Sequence, residues 1–304
     1  MIQKGIIMAI LAATFYAIGI PFSKIMLQYI PETLMAGFLY LGAGVCMAVI
    51  ALIRKSKKTE VIENKLTKKE IPYTVAMIVL DIAAPICLLI GMKTTMASTA
   101  SLLNNFEIVV TAVIALMFFK EKISSRLWLG IIFVTISCIV LSVGNILELK
   151  FSSGAIFILM ATIFWGIENN CTRKLSSKDP MQIVMLKGIF SGGGSLIIGL
   201  VIGERTNNVV GILVVLLIGA IAYGMSIYVY IYAQRILGAA RTSTYYAVSP
   251  FIGTALSLLI FKQKPEISYW IGLILMIVGA YFASSDKPIK LKLSSINKYL
   301  KRKM

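Results

Sequence analysis

The chain reads as a succession of long apolar runs divided by short polar breaks. Ten runs are expected to be helices, at 4–22, 33–53, 72–91, 97–119, 126–145, 154–172, 180–203, 209–232, 240–261 and 267–285. A hydrocarbon core about 30 Å thick is crossed by about 20 helical residues, within a range of about 17–25. The runs are of that order, and no gap between them would hold a soluble domain. The longest polar stretch is Arg54–Glu70, followed by Pro72, and a basic tail runs from Lys287 to Met304. The first run has no convincing small-residue cleavage site and leads straight into nine similar helices, so it is expected to be a retained span. The pattern predicts an all-α polytopic membrane protein with ten transmembrane helices, its main partner the lipid bilayer.

Composition supports this. Hydrophobic residues make up 58% of the chain and charged residues 14%, against about 45–50% and about 25% in soluble domains. Lys and Arg number 30 against 13 Asp and Glu, a formal net charge of +17. On a soluble chain such a balance points to nucleic acid. On a membrane chain it points to cytoplasmic loops rich in Lys and Arg, so no nucleic-acid partner is expected. With the N-terminus inside, 23 of the 30 cations fall on inside segments and six on outside ones, and Lys187 is left within a run. Arg235 and Arg241 crowd a loop of a few residues and are expected to be structural; without them the bias is still 21 to 6. Both termini are therefore expected to be cytoplasmic. Histidine is absent, which excludes His triads, His bases and His metal ligands. No metal, cofactor or enzymatic activity is expected. Cys46, Cys87, Cys138 and Cys171 lie in different runs and are expected to be small buried apolar side chains, not a disulfide framework.

The chain also resembles itself. Shifted by 149 residues, the first run lies on the sixth: Gly5 meets Gly154, Ala12 meets Ala161, Phe15 meets Phe164 and Tyr16 meets Trp165. Shifted by 142, the fourth and fifth runs lie on the ninth and tenth: Lys93 meets Arg235, Phe119 meets Phe261, Trp128 meets Trp270 and Gly130 meets Gly272. Two units follow, 1–145 and 146–286, with the basic tail 287–304 beyond them. Each holds five spans. Five is odd, so the second unit would enter the membrane inverted, an architecture of secondary transporters.

The repeat ends carry further signals. Ala233–Gln234–Arg235–Ile236–Leu237–Gly238–Ala239–Ala240–Arg241 leads into Ser249–Pro250–Phe251. Phe118–Phe119–Lys120–Glu121–Lys122–Ile123 precedes Trp128–Leu129–Gly130. In these pieces the whole chain, from about residue 5 to 285, resembles the drug/metabolite transporter superfamily, EamA type. Family members often have Gly–Glu where this chain has Lys120–Glu121, and the second unit departs at both positions with Lys262–Gln263. The resemblance implies a basket of ten helices around a central cavity, lined mainly by spans 1, 3, 4, 6, 8 and 9. It also implies export of amino acids or related metabolites across a bacterial plasma membrane.

Four ionisable residues lie inside the spans: Asp81, Glu107, Glu168 and Lys187. Each costs about 2.5–3.5 kcal/mol at the centre of a lipid-facing helix, so each is expected to face the bundle interior. Helical spacing adds neighbours. Asn104, Glu107 and Thr111 share a face of span 4; Trp165, Glu168 and Thr172 share one of span 6, with Asn169 and Asn170 beside it. In span 9, Thr242, Tyr245 and Ser249 make a stripe flanked by Tyr246. Tyr16 with Ser23 and Tyr223 with Tyr230 are similarly spaced on spans 1 and 8. The expected substrate-binding residues are Glu107, Glu168, Asn104, Asn169, Tyr245, Tyr16, Trp165 and Tyr246. Carboxylates suit an ammonium, aromatic faces a cation or organic ring, and carboxamides a carboxylate or hydroxyl. Interhelical hydrogen bonding is the structural alternative for these side chains. Asp81 and Lys187 are assigned to coupling or charge pairing, Lys187 with Asp81 or Glu168. Glu107 and Glu168 are candidate proton-coupling groups. Small residues at 191, 195, 199 and 203 suit close helix packing, and Pro21, Pro85 and Pro250 mark places where the helices lose backbone bonds.

The expected function is a secondary transporter, an exporter of a small polar organic metabolite such as an amino acid, working by alternating access as a monomer or homodimer. Efflux of cationic drugs and a non-transport integral membrane protein are the alternatives.

Overall fold

A computed structural model describes residues 2–56, 64–119, 124–145, 150–237, 242, 245–262 and 264–283. The basic tail, Lys120–Glu121–Lys122–Ile123, Gly238–Arg241 and Gln263 lie outside the described residues.

The described chain is almost wholly helical. Eight helical stretches are long and apolar enough to cross a membrane. Three are single helices of the first unit: α1 (Ile2–Met26), α2 (Glu32–Ser56) and α3 (Ile71–Thr94), the last entered through a short turn, Lys68–Glu70. The fourth is divided into α4 (Ala97–Leu103) and α5 (Phe106–Phe119). α6 (Ser125–Ser142) and α7 (Ser153–Leu175) follow, joined through a two-stranded antiparallel pair, Val143–Asn145 with Lys150–Phe151. The seventh runs through α8 (Pro180–Leu186), a π-helical segment Lys187–Ser191 and α9 (Gly192–Val201). The eighth runs through α10 (Val209–Gly219), a second π-helical segment Ala220–Met225 and α11 (Ser226–Leu237). Two shorter apolar helices complete the bundle, α12 (Ser249–Phe261) and α13 (Ile267–Ala283). The expectation of an unbroken helix over 97–119 is corrected: Asn104 and Asn105 form a turn within it.

Helix ends gather at two poles. At one pole, Leu66 N–H donates to Gln182 Oε1 at 3.0 Å and Asp179 N–H to Asn64 O at 2.9 Å. Arg235, expected in a loop, lies in the last turn of α11, and its Nε donates to Ser176 O at 3.3 Å there, a structural role as expected. At the other pole, Lys24 Nζ donates to the carbonyls of Met92, Lys93 and Thr95 at the end of α3. Glu32 pairs with Lys93. The Glu204 carboxylate accepts from Thr33 and Leu34 N–H at the start of α2, which otherwise lack helical acceptors.

The interior is cemented by close backbone approach. α3 packs on α7, α1 on α11, and α2 on the seventh and eighth stretches. A Cβ at Gly42 would collide with the Leu216 carbonyl, and one at Gly219 with the Leu39 carbonyl. Only glycine permits that spacing, because helices in lipid associate through packing of small residues and not through burial of apolar surface from water. In the small-residue face of the seventh stretch, Gly188 meets Gly44, and Gly192 lies against Leu41 N and Gly37 O. Large apolar side chains such as Val45, Leu52, Val201, Leu259 and Ile267 face outward, as expected of surfaces bathed in lipid. All four cysteines are free.

Candidate functional site

The ionisable residues inside the bundle converge. Lys187 Nζ lies 3.1 Å from Asp81 Oδ2 and 2.8 Å from Glu168 Oε1. All three side chains are buried. Tyr40 OH donates to Asp81 Oδ1 at 2.8 Å, and Thr172 Oγ1 to Glu168 Oε1. A cation buried in hydrocarbon must find such partners, and here two acids from α3 and α7 provide them. Lys187 opens a π-helical segment, a local widening of the helix that recurs at functional sites.

Glu107 stands apart. It begins α5 immediately after the Asn104–Asn105 turn and accepts a hydrogen bond from Asn169 Nδ2. Among the described residues no cation pairs with it. The ammonium of Lys187 is already divided between two other carboxylates.

These groups line one cavity of about 70 Å³. Its walls are Asp81, Glu107, Glu168 and Lys187 with Asn169 and Thr172, an aromatic set of Tyr16, Tyr40, Trp165, Tyr223, Tyr230 and Tyr246, and Ile227. The rings form a connected cage: Tyr16 meets Trp165, Tyr223 and Tyr246 at centroid distances of 6.5, 6.0 and 5.8 Å, and Tyr230 meets Tyr246 at 4.7 Å. All four contacts are edge-on or tilted, the arrangements aromatic pairs prefer. Tyr16, Glu107, Asn169, Ile227, Tyr230 and Tyr246 are half-buried, and the other lining residues are buried.

Of the residues singled out from sequence, Glu107, Glu168, Asn169, Tyr16, Trp165, Tyr246, Asp81 and Lys187 are brought to this cavity. Asn104 and Tyr245 are not in its lining. Asn104 is buried behind Tyr16, donating from Nδ2 to Tyr16 OH at 3.4 Å. The reason is shared: each lies beside a break, Asn104 in the turn that divides span 4 and Tyr245 just before the Ala247–Val248 turn, so a stripe extrapolated as continuous helix changes direction there. Asn170, next to Asn169, bonds instead to Gly166 O and Thr111 O at 2.9 and 3.3 Å. Tyr40 and Ile227 had no part in the sequence reading. A signal for Tyr40 existed: it shares a face with Gly37 and Gly44, the face against which the seventh stretch packs.

Comparison with known proteins agrees with this architecture. A sequence model of the EamA-like transporter family matches residues 3–143 and 152–285. An uncharacterized transporter of Methanothermobacter thermautotrophicus is 24% identical, covering 91% of this chain and 85% of its own. One of Clostridium kluyveri is 26% identical, covering 95% and 96%. An uncharacterized protein of Methanocaldococcus jannaschii is 26% identical over 143 residues, 47% of this chain and 99% of that one. A solved crystal structure shares the fold at a TM-score of 0.65, with 13% identity over 93% of this chain and 96% of that one. A multi-pass helical bundle closing around a polar interior, matched over nearly its whole length, places this chain in the EamA-like transporter family.

Proposed function

We propose that this member of the family is a secondary transporter that exports a small organic solute bearing an ammonium group. The observation that carries the reading is the inequality of charges in the cavity. Lys187 is neutralised by Asp81 and Glu168, which among the described residues leaves Glu107 as an anionic anchor held by the Asn169 amide. Around it stand Tyr16, Trp165, Tyr230 and Tyr246, whose faces attract cations. An amino acid and a simple organic cation both offer an ammonium. The excess of acids over cations favours the simple cation, since no unshared cationic group awaits a carboxylate. A proton on Glu107 would take the place of the solute's charge, so exchange of solute for proton is the expected coupling.

The proposed architecture is ten spans in two inverted units, 1–145 and 146–286. The two-part family match, the M. jannaschii protein of about half the length, and the paired packing of α1 on α11 and α3 on α7 support it. Breaks in the fourth span and just before α12 resemble the discontinuous helices from which alternating-access folds build their sites. A cavity of about 70 Å³ is small beside the roughly 300–1,000 Å³ of drug-sized pockets. The conformation described is therefore a narrow one, and the substrate enters when the cavity widens. The proposed setting is a bacterial plasma membrane with both termini cytoplasmic.

The test is flux in proteoliposomes of primary amines, amino acids, quaternary cations and sugar phosphates, with and without a pH gradient. Saturable flux of an ammonium-bearing solute, driven by the gradient and lost in Glu107→Gln, is the expected result. Full flux and full pH response in Glu107→Gln would overturn the site assignment, and no saturable flux of any class would overturn the transport reading.

A further inference from the structure

The fourth span and α12 cross where both are interrupted. They run antiparallel, and two contacts fix their register. Thr254 Oγ1 donates to Ser98 O at 3.3 Å. A Cβ on Gly253 would lie 3.0 Å from Ser101 Oγ. Asn105 follows Ser101 by four residues, in the turn that divides the fourth span, and Ser249 precedes Gly253 by four, as the first residue of α12. Both therefore lie on the same side of this contact, toward the two breaks.

Ser101 is 0% exposed, and Asn105 and Ser249 are each 1% exposed. Among the described residues, Ser101 Oγ, Ser249 Oγ and both amide atoms of Asn105 have no hydrogen-bond partner, and neither has the neighbouring Asn104 Oδ1. The Ala17 carbonyl, to which Pro21 has no N–H to give, lies 3.2 Å from the position of a Cβ on Gly253. Buried polar groups are nearly always paired, so a concentration of unmet ones needs a ligand. Simple helix packing does not account for them. Serines that only pack turn back to the carbonyl four residues earlier, as Ser257 does to Gly253 O at 2.7 Å and Ser142 to Cys138 O at 2.6 Å. Ser101 and Ser249 do not.

The unmet atoms define the ligand. Asn105 Nδ2 needs an acceptor; Asn105 Oδ1 and Asn104 Oδ1 need donors; the serine hydroxyls can serve as either. A bare cation would leave the amide N–H unmet, and an anion would leave the carbonyl oxygens unmet. The unmet groups carry no formal charge. A hydroxylic group, which both donates and accepts, fits.

We propose that this crossing is a second, neutral polar site, next to the Glu107 cavity on the side of the Lys24 pole, that takes a hydroxyl of the transported solute or a water molecule. The proposal rests on the transport reading and extends the path from Glu107 toward the pole of Lys24 and Thr94.

Cysteine accessibility tests it without knowledge of the substrate. Cys46, Cys87, Cys138 and Cys171 are replaced by Ala, and Ser249→Cys, Ser101→Cys or Ser257→Cys is introduced. Each protein is treated in membrane vesicles with an impermeant sulfonated thiosulfonate from either side. Ser249→Cys and Ser101→Cys are expected to react at least ten-fold faster than Ser257→Cys, whose hydroxyl is already satisfied by backbone. Either one is sufficient should the other not fold. Slowing by ethanolamine, which carries one ammonium and one hydroxyl, assigns the site to solute; unchanged labelling assigns it to water. Flux in proteoliposomes together with labelling of both positions no faster than Ser257→Cys overturns the second site alone. Fast labelling without flux of any solute overturns the transport reading and leaves a hydrated site.

Discussion

Removal of the buried ammonium tests the charge cluster most directly. Lys187→Met leaves Asp81 and Glu168 facing one space with no cation between them. At the observed 3.1 and 2.8 Å, the two attractions are about 5 and about 6 kcal/mol at an effective dielectric constant of about 20. Most of that repays the cost of burial, so the net loss follows mutational experience with broken buried pairs, about 3–5 kcal/mol. Asp81→Asn acts differently. It leaves Lys187 paired with Glu168, a balanced couple, and Tyr40 OH can still donate to the amide oxygen. Its expected cost is about 1 kcal/mol, near that of one ordinary hydrogen bond. Apparent melting temperatures in one detergent at one scan rate separate the two. Lys187→Met should fall by roughly 10 °C, on a scale of about 2–4 °C per kcal/mol, and Asp81→Asn by a few degrees. Equal melting of Lys187→Met and wild type, or equal loss in both variants, would refute the cluster as the bond between α3, α7 and the seventh span.

Other perturbations follow from the same geometry. Gly42→Ala and Gly219→Ala each force a methyl into the carbonyl of a facing helix, an overpacking worth about 1–3 kcal/mol, so yield of folded protein on gel filtration should drop; Gly193→Ala, with nothing within 4 Å of the added carbon, should be neutral or slightly stabilising by the higher helix propensity of Ala. Glu204→Ala removes the acceptor for Thr33 and Leu34 N–H and should cost about 1 kcal/mol, as loss of a helix N-cap does, while Glu204→Gln keeps an acceptor and loses only the charge term of about 0.3–1 kcal/mol; thermal melts of the two should differ in that order. Lys24→Met unties the end of α3 from α1, and hydrogen exchange should rise at residues 92–96 and not at the opposite pole.

Most of the fold was legible because the bilayer demands so much of a sequence. Every backbone bond must be met within the span, so an apolar run of sufficient length can only be helix. Loops, poles and cationic ends then follow from counting. The division of span 4 was not legible. Leu102, Leu103 and Phe106 continue the apolar run, and neither Gly nor Pro marks the turn; two consecutive asparagines are its only trace. The π-helical segments at Lys187–Ser191 and Ala220–Met225 likewise leave no compositional mark, since Ile, Phe, Ala and Met serve any helix. The site was legible where the helix is regular. Trp165, Glu168, Asn169 and Thr172 all come from α7 and all line the cavity. Near the breaks, the same arithmetic put Asn104 and Tyr245 on the wrong surface.

The two halves differ most where chemistry is concentrated. Gly19 stands where Glu168 would be expected by the repeat, and Ser249 where Glu107 would be. Ser249 belongs to the unmet polar atoms at the crossing, so in the proposed inverted architecture an acid and a hydroxyl would stand in matching places on either side of one pseudo-axis. Exchange between two conformations would require backbones that are nearly equivalent, and the paired packing of α1 with α11 and α3 with α7 is consistent with that. It does not require equivalent side chains. An acid repeated in both halves would hold a cationic solute equally well throughout its passage, and a ligand bound equally in both states drives no change between them. In the proposed mechanism, a single unpaired acid at Glu107, with neutral groups at the crossing, would make the affinity for charge differ along the path, and a proton taken up at Glu107 would release the solute into the neutral half.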